Sequence, residues 1–229
     1  TDLVVRSELS DNLRQATVFL ETRLDSEQRE KVLVESRIKL REAVVAQEVR
    51  EYLLDSGTTC LPTRLEIEAV ELWWPNGYGD QPLYQAEISV FRTEEEAFSD
   101  RAEVTFGIRQ VELVNNETTA QNARPYTFKV NGRKIYIKGW NWVPIDVMYG
   151  VERSAKLNRL LTLARKAHVN LLRVWGGGLI EKDVFYELCD RFGIMVWQEF
   201  IQSSSGLQNR PVSDPEYITM LVKEAEALI

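Results

Sequence analysis

The sequence lacks the features that would assign it to several large classes of protein. No stretch approaches the roughly 18 consecutive uncharged apolar residues of a membrane-spanning helix. Histidine occurs once, and the two cysteines, Cys60 and Cys189, lie far apart, so there is neither a disulfide framework nor a metal-ligand spacing. The formal net charge of −7 argues against a phosphate-binding surface, which needs clustered Lys and Arg. We therefore expect no membrane span, nucleic-acid partner, metal or organic cofactor, and the sparse cysteines favour a cytoplasmic location.

The sequence does contain enough apolar material for one large or two ordinary domains, since 44% of its 229 residues are hydrophobic. Its first half alternates apolar and polar residues with a period of two, in short segments that polar turns separate. The clearest of these segments are 13–24, 32–40, 65–69, 83–90 and 102–113. Short alternating strands are typical of an antiparallel sandwich in which each sheet has one face in water. We therefore predict an immunoglobulin-like β-sandwich domain at residues 1–113.

The pattern changes after the sandwich. Residues 114–124 are rich in Asn, Thr, Gln and Glu and are predicted to form a linker. Beyond the linker, compact apolar strands alternate with helices whose apolar residues recur every three or four positions. The predicted order is a strand at 135–137, a helix from Ser154, a strand at 169–175, a helix at 181–192 that Gly193 ends, a strand at 194–197 and a terminal helix. Either Ser213 and Glu216 form a capping box at the terminal helix, or Asp214 caps it with Pro215 at the first helical position.

Strands that alternate with helices indicate a parallel sheet, for which two architectures compete. A doubly wound sheet carries a G-x-G-x-x-G pattern after its first strand, whereas this sequence continues Lys-Gly-Trp-Asn-Trp-Val-Pro from Lys138. Aromatic and polar residues at the ends of strands instead suit a (β/α)8 TIM barrel. A whole barrel needs ~250 residues. Residues 125–229 are therefore predicted to form only the first three βα units of a truncated catalytic domain, within a longer parent chain.

Several motifs resemble those of one enzyme family. The run Trp-Trp-Pro-Asn-Gly-Tyr-Gly-Asp-Gln-Pro-Leu-Tyr from Trp73, the triplet Gly107–Arg109 and the segment 128–139 resemble the sandwich and the start of the barrel in family 2 glycoside hydrolases. Within that family, three further segments are most similar to β-mannosidases, namely 139–144, 172–178 and 193–200. The resemblance implies a retaining exo-β-mannosidase that hydrolyses terminal β-D-mannosides. Its partners are then a β-mannoside or related oligosaccharide and the remainder of the parent chain.

The resemblance also implies where the catalytic groups lie. Retaining glycosidases use two carboxyl groups about 5 Å apart, and in this family both are glutamates on loops after the fourth and seventh barrel strands, beyond Ile229. We therefore expect the chain to be inactive alone and to carry only supporting residues. Arg173 is expected to orient the nucleophile and Trp175 to face a sugar ring, with pairing for stability and simple packing as the alternatives. The other predicted substrate-binding or support residues are Asn141, Trp142 and Glu199.

One residue departs from the family pattern, and two alternative functions stay open. Glu199 stands where β-mannosidases of this type often have Asp, so its carboxylate is carried on one more methylene. The parent could have another family 2 specificity, such as exo-β-glucosaminidase. A non-catalytic carbohydrate-binding or scaffolding module is the alternative from a different class, although Trp73 and Trp74 are expected to pack between the sheets or against the barrel rather than bind sugar.

Overall fold

The computed structural model describes residues 1–93, 97–117, 119–151, 153–201 and 213–228. The chain divides into two compact units. The first consists of Thr1–Trp74 and Tyr78–Tyr136, and the second of Pro75–Gly77 and Ile137–Ile229. The predicted linker at 114–124 therefore falls within the first unit, and the domain boundaries at 113 and 125 stay a prediction.

The first unit is built from β-strands. One antiparallel sheet has the order β1-β2-β5, a second has the order β4-β3-β6-β7, and a third has the order β10-β9-β8. The strands are β1 (Asp2–Leu9), β2 (Ala16–Ser26), β3 (Glu30–Leu40), β4 (Ala43–Leu54), β5 (Gly57–Ile67), β6 (Tyr84–Arg92), β7 (Ala97–Phe106), β8 (Val111–Asn115), β9 (Tyr126–Val130) and β10 (Arg133–Ile135).

The first two sheets pack face to face around one hydrophobic core. Alternate residues of β2, such as Val18 and Leu20, are buried together with alternate residues of β3 and β6, such as Ile38 and Ile88. A two-residue period of burial is what one wet face per sheet requires. This arrangement is consistent with the predicted immunoglobulin-like sandwich.

Two strands of the sandwich escaped the sequence analysis. In β4, the only buried residue is Leu54, at the end of the strand, so the alternation of apolar and polar residues that marks other strands is missing. In β1, only Leu3 is fully buried. Both are edge strands of their sheets, and an edge strand that buries little apolar surface leaves a weak pattern in the sequence.

A buried carboxylate lies on the outer face of the four-stranded sheet. Glu87 is only 4% exposed, and its carboxylate accepts a hydrogen bond from Lys39 Nζ at 2.7 Å and one from Arg101 Nη2 at 2.5 Å. Arg37 Nη1 lies 3.7 Å away. Burial alone raises the pKa of Glu87, but the hydrogen bonds and charges of Lys39 and Arg101 outweigh it, so that the pKa lies below its ordinary value.

The apolar run at 135–137 is not the first parallel strand, and that prediction was wrong. Arg133–Ile135 instead pairs antiparallel with β9 as the second strand of a hairpin. Its two-residue turn contains Asn131 and Gly132, with φ angles of 46° and 78°, the left-handed values that such turns need. Periodicity alone cannot separate a short hairpin strand from a buried parallel strand.

The second unit contains a parallel sheet in the order β11-β12-β13. Helix α1 follows β11 in the sequence, α2 follows β12 and α3 follows β13. Residues of the strands and of the first two helices form one core, including Trp142, Leu161, Leu172 and Phe185. The elements are β11 (Gly139–Trp142), α1 (Ser154–Lys166), β12 (Leu171–Val174), α2 (Asp183–Phe192), β13 (Met195–Gln198) and α3 (Pro215–Leu228).

The predicted start of α1, the predicted end of α2 and one of the two predicted caps of α3 are confirmed, whereas α2 begins at Asp183 rather than at 181. Helix α1 begins at Ser154, and α2 ends at Gly193, whose φ of 72° is the left-handed conformation of a C-cap glycine. At α3, Asp214 Oδ1 accepts hydrogen bonds from the backbone N–H groups of Glu216 and Tyr217, both at 3.0 Å. Asp214 is therefore the cap, with Pro215 at the first helical position, rather than Ser213 in a capping box.

Asn76 closes the ends of two helices in the second unit. Its Nδ2 group donates to the carbonyl of Arg165, in the last turn of α1, at 2.9 Å and to the carbonyl of Val169 at 3.0 Å. Its backbone N–H donates to the carbonyl of Gly193 at 2.7 Å. A helix leaves its last four carbonyls without partners inside the helix, so a side-chain amide at this place satisfies groups that would otherwise need water.

The described residues contain no helix with the length and apolar character that a bilayer crossing demands. Within the same ranges, no group of three or more His, Cys, Asp or Glu side chains is arranged to hold a metal ion.

Candidate active-site wall

The register of the parallel sheet brings predicted site residues into one row. Asn141 on β11 is level with Arg173 on β12, which is level with Trp197 on β13. Successive residues of a strand point to opposite faces, so these three side chains share the face that is opposite the core formed with α1 and α2. The row lies near the carboxyl ends of the strands, the edge at which α/β proteins build their sites.

Arg173 is the centre of this row and is held on two sides. Its Nε donates to Glu199 Oε1 at 2.8 Å, and Nη2 lies 2.6 Å from the same oxygen. On the other side, Nη1 donates to Asn141 Oδ1 at 2.8 Å. Charge-assisted bonds to a planar guanidinium fix its orientation as well as its position. The structure thus brings together three of the predicted support residues, Asn141, Arg173 and Glu199.

The glycine-rich turn after β12 provides a further hydrogen-bond donor to the carboxylate of Glu199. The backbone N–H of Gly176 donates to Glu199 Oε2 at 3.1 Å, so each oxygen of the carboxylate has a donor. A Cβ atom on Gly176 would lie 2.7 Å from the carbonyl oxygen of Phe200 and 3.2 Å from Glu199 Oε2. Glycine is therefore required by the close approach of two backbones.

The two predicted tryptophans have different environments. Trp175 follows Arg173 by two residues and is 37% exposed, so it is accessible beside the row. Trp142 is 5% exposed; its indole packs against Phe185, with ring centroids 5.1 Å apart, and its Nε1 donates to Glu181 at 2.8 Å. Trp142 therefore belongs to the helix-facing core, and its predicted role as a substrate-binding or support residue stays a prediction.

Asp146, another carboxylate in the loops at this edge, already accepts hydrogen bonds on both of its oxygens. The backbone N–H of Met148 donates to Oδ1 at 3.1 Å, and Arg153 Nε donates to Oδ2 at 3.1 Å. These contacts, the Met148 hydrogen bond first, lower the pKa of Asp146. A carboxyl group that stays ionised cannot act as the general acid of a glycosidase. Asp146 and Glu199, which Arg173 neutralises, are therefore poor substitutes for a catalytic pair.

Three residues around this row were missed by the sequence analysis. Trp197 is half exposed on the same face as Arg173. Gln198 and Tyr186 form a hydrogen bond on the helix side of the sheet. The alternation within β13 is the signal that could have placed Trp197 and Glu199 on one face and Gln198 on the other. The partner of Gln198 comes from a separate helix and could not be found in that way.

Comparisons with known proteins agree with this architecture. The profile of the family described as glycosyl hydrolases family 2 matches residues 1–109. A β-mannosidase of Rattus norvegicus is 35% identical over 207 residues, which are 89% of this chain and 23% of that protein. The chain belongs to glycosyl hydrolase family 2. Among solved structures, this family 2 chain is similar to the β-D-mannosidase of Dictyoglomus thermophilum, with a TM-score of 0.83 and 34% identity over 98% of this chain and 26% of that one.

Another relative of this family 2 chain carries a different name. A mannosylglycoprotein endo-β-mannosidase of Lilium longiflorum is 40% identical over 147 residues, which are 63% of this chain and 15% of that protein. The chain spans about a fifth of the length of the curated relatives that it matches.

Proposed function

We propose that this chain is part of a longer glycoside hydrolase that cleaves terminal β-D-mannosides with retention, and that it supplies one wall of the active site. The observation that carries the proposal is the clamp of Arg173 between Asn141 and Glu199 at the carboxyl edge of the parallel sheet. The identity of 34–35% to proteins named β-mannosidases supports mannose as the sugar.

In this proposal, the parallel sheet of the second unit is the beginning of a (β/α)8 barrel. Three parallel strands in consecutive order, with α1 and α2 as the intervening helices, are what the first βα units of such a barrel require. The likeness to the Dictyoglomus thermophilum enzyme over 98% of this chain supports the same continuation. The sandwich then lies N-terminal to the barrel in the parent chain.

The role of Arg173 follows from its remaining donors. A guanidinium carries five N–H groups; in Arg173, Nε–H and one hydrogen of Nη1 donate to Glu199 and Asn141, and Nη2 lies 2.6 Å from Glu199 Oε1. One hydrogen on each terminal nitrogen has no partner in the described part of the chain. These two donors can bind a carboxylate in parallel. Arg173 would thus orient a nucleophilic glutamate from elsewhere in the parent and keep it ionised.

Trp175 and Trp197 add the apolar surface that a sugar needs. Both are exposed, and Trp197 is in the same row as Arg173. An aromatic ring can cover the C–H face of a pyranose while nearby donors bind its hydroxyl groups. Because Asp146 and Glu199 are each held by a cation and the catalytic glutamates are expected elsewhere in the parent, the chain alone should have no acid/base pair and no activity.

A second candidate differs in where the glycan is cut. The 40% identity to a protein named mannosylglycoprotein endo-β-mannosidase favours an internal mannoside of a glycoprotein glycan as the alternative to a terminal one. An open active-site wall is compatible with either substrate. The relative rates on an aryl β-mannoside and on a glycopeptide with an internal mannoside therefore decide between terminal and internal cleavage.

The test is release of nitrophenol from an aryl β-mannoside by this chain and by the full-length product of its gene. We expect activity from the full-length protein alone, and its Arg173→Lys variant should lose roughly a hundredfold in kcat, because an ammonium cannot reproduce the bidentate fork. Arg159→Lys, an exposed change on α1, is the matched control and should keep full activity.

The outcomes separate the candidates. Clear turnover by the chain alone would contradict the proposed division of the active site. A full-length protein that prefers an aryl β-glucosaminide would replace the mannoside specificity. Cleavage of an internal mannoside in a glycopeptide, together with a slow aryl reaction, would favour the endo-acting alternative.

A further inference from the structure

Glu199 is supported from the opposite face of the sheet by a chain of hydrogen bonds. Gln198, the preceding residue, points toward the helices, and its Nε2 donates to the backbone carbonyl of Glu199 at 2.7 Å. On the other side of the same amide, Gln198 Oε1 accepts a hydrogen bond from the hydroxyl of Tyr186 on α2 at 2.8 Å. The contacts therefore link the middle of α2 to the peptide group that follows Glu199.

The direction of each bond is fixed by elimination. A backbone carbonyl can only accept, so the side-chain group that faces the Glu199 carbonyl must be the amide nitrogen. The amide oxygen then faces Tyr186, and the tyrosine hydroxyl must be the donor. Removing the Tyr186 hydroxyl leaves the Gln198 oxygen without this donor and frees the amide to rotate away from Glu199.

Tyr186 is itself held in place. Its ring packs edge-on against Phe185, with centroids 5.2 Å apart. Burial raises the pKa of Tyr186 to about 12, although a hydrogen bond from the backbone of Glu181 acts in the opposite direction. The hydroxyl therefore stays protonated throughout the range in which glycosidases act, and it remains a donor to Gln198.

We propose that Tyr186 and Gln198 are positioning residues that fix the peptide group of Glu199 and thereby set the carboxylate that holds Arg173. Glu199 needs such support because it lies one residue beyond the end of β13, where its backbone N–H donates to the carbonyl of Val174 at 3.2 Å. The Tyr186–Gln198 pair is the second anchor, on the carbonyl side. The inference rests on the proposed function, since Arg173 is the group through which it would reach the substrate.

The experiment uses the full-length gene product and three variants. In Tyr186→Phe, kcat on the aryl β-mannoside should fall about tenfold, because a displacement of order 1 Å in a positioned group is enough for such a loss, while KM should stay within about twofold. The matched control is Tyr84→Phe. It removes a buried hydroxyl in the sandwich, where Tyr84 accepts a hydrogen bond from the Glu71 backbone at 2.7 Å, and it should leave kcat unchanged.

Gln198→Glu provides a signature that a general loss of stability would not give. At neutral pH, the new carboxylate faces the carbonyl of Glu199 and repels it, so kcat should fall more than in Tyr186→Phe. A protonated carboxyl group can donate to that carbonyl as the amide did. The kcat ratio of variant to wild type should therefore rise as the pH falls, whereas the ratio for Tyr186→Phe should stay constant.

The results distinguish this inference from the function on which it depends. An active wild type with unchanged kcat in Tyr186→Phe and a pH-independent ratio for Gln198→Glu would overturn the positioning role. Equal losses in Tyr186→Phe and Tyr84→Phe would also overturn it, in favour of stability alone. A full-length wild type that cleaves no mannoside would instead refute the proposed function.

Discussion

Replacing Asn76 by Asp tests whether a side-chain amide closes the end of α1, since the bond to Gly193 at the end of α2 comes from the backbone of Asn76 and is kept. The two side chains have the same shape, but the carboxylate has no hydrogen to give to the carbonyls of Arg165 and Val169, which Asn76 Nδ2 approaches to 2.9 and 3.0 Å. The change also places a negative charge at the C-terminus of α1, where the helix dipole disfavours it. We therefore expect Asn76→Asp to weaken the second unit more than Asn76→Ala.

The magnitudes follow from the two lost bonds. Each neutral hydrogen bond contributes about 1 kcal/mol, so Asn76→Ala should destabilise the unit by about 2 kcal/mol. In Asn76→Asp, the repulsion of the new negative charge by the helix dipole and by the two carbonyl oxygens should add about 1 kcal/mol to this destabilisation. At about 1.4 kcal/mol for each factor of ten, amide exchange should accelerate about thirtyfold in Asn76→Ala and more than about a hundredfold in Asn76→Asp.

Hydrogen–deuterium exchange of peptides from α1 and α2 measures these changes without assuming that the whole chain unfolds in one step. Peptides from the sandwich provide an internal reference. Asn158→Asp is the matched control, since it makes the same chemical change at an exposed position nearer the start of α1. We expect it to leave the exchange of both helices within about twofold of wild type.

The pH dependence has a definite sign. The carboxyl group introduced in Asn76→Asp faces two carbonyl oxygens, so its protonated form is favoured in the folded state and its pKa should be raised. The destabilisation should therefore be full at pH 7 and shrink as the pH falls through that raised pKa. Equal exchange rates in Asn76→Asp and Asn158→Asp at pH 7 would refute the capping role of Asn76.

Three other predictions concern the rest of the fold. Gly139→Ala should destabilise the parallel sheet by about 3 kcal/mol or more in thermal unfolding, because its Cβ would lie 2.0 Å from the backbone oxygen of Leu171; a melting temperature equal to that of wild type would contradict this packing. Glu87→Gln should lower stability to urea by about 2 kcal/mol at pH 7. Because the pKa of Glu87 is lowered in the fold, this difference should vanish as the pH falls below it, and a difference that persists in acid would exclude the ion pairs as its source. Cys60 is exposed whereas Cys189 is buried with a raised pKa, so a thiol reagent should label Cys60 first and Cys189 only on unfolding; simultaneous labelling of both would show that α2 opens in the native state.

The sequence predicted the fold well for strands that bury one face and expose the other. Strands such as β2 and β3 bury every second residue, and their alternation is therefore visible without a structure. Strand β4 buries only Leu54 and left no such pattern. The run at 135–137 gave a wrong prediction because three apolar residues are compatible with a hairpin strand and with a parallel strand alike.

Only those residues of the candidate site that lie in motifs at the ends of strands could be predicted from the sequence. Asn141, Arg173 and Glu199 were selected from the ends of three successive strands, and the register brings them together. Asn141 and Trp142 are neighbours on β11, however, and two consecutive strand residues cannot both face the site. Tyr186 was not predictable, because its contact with Gln198 depends on how α2 packs against the sheet.

The place of Asn76 has a consequence for any attempt to dissect the protein. The second unit is not continuous in sequence, since Pro75–Gly77 belongs to it while the residues on either side belong to the first. A clone that starts at Ile137 would contain all three parallel strands and yet lack the amide that satisfies Arg165 and Val169. Cutting the chain between the two units is therefore not enough to isolate the second one intact. The tripeptide has to be supplied by circular permutation, or the end of α1 has to be redesigned to do without it.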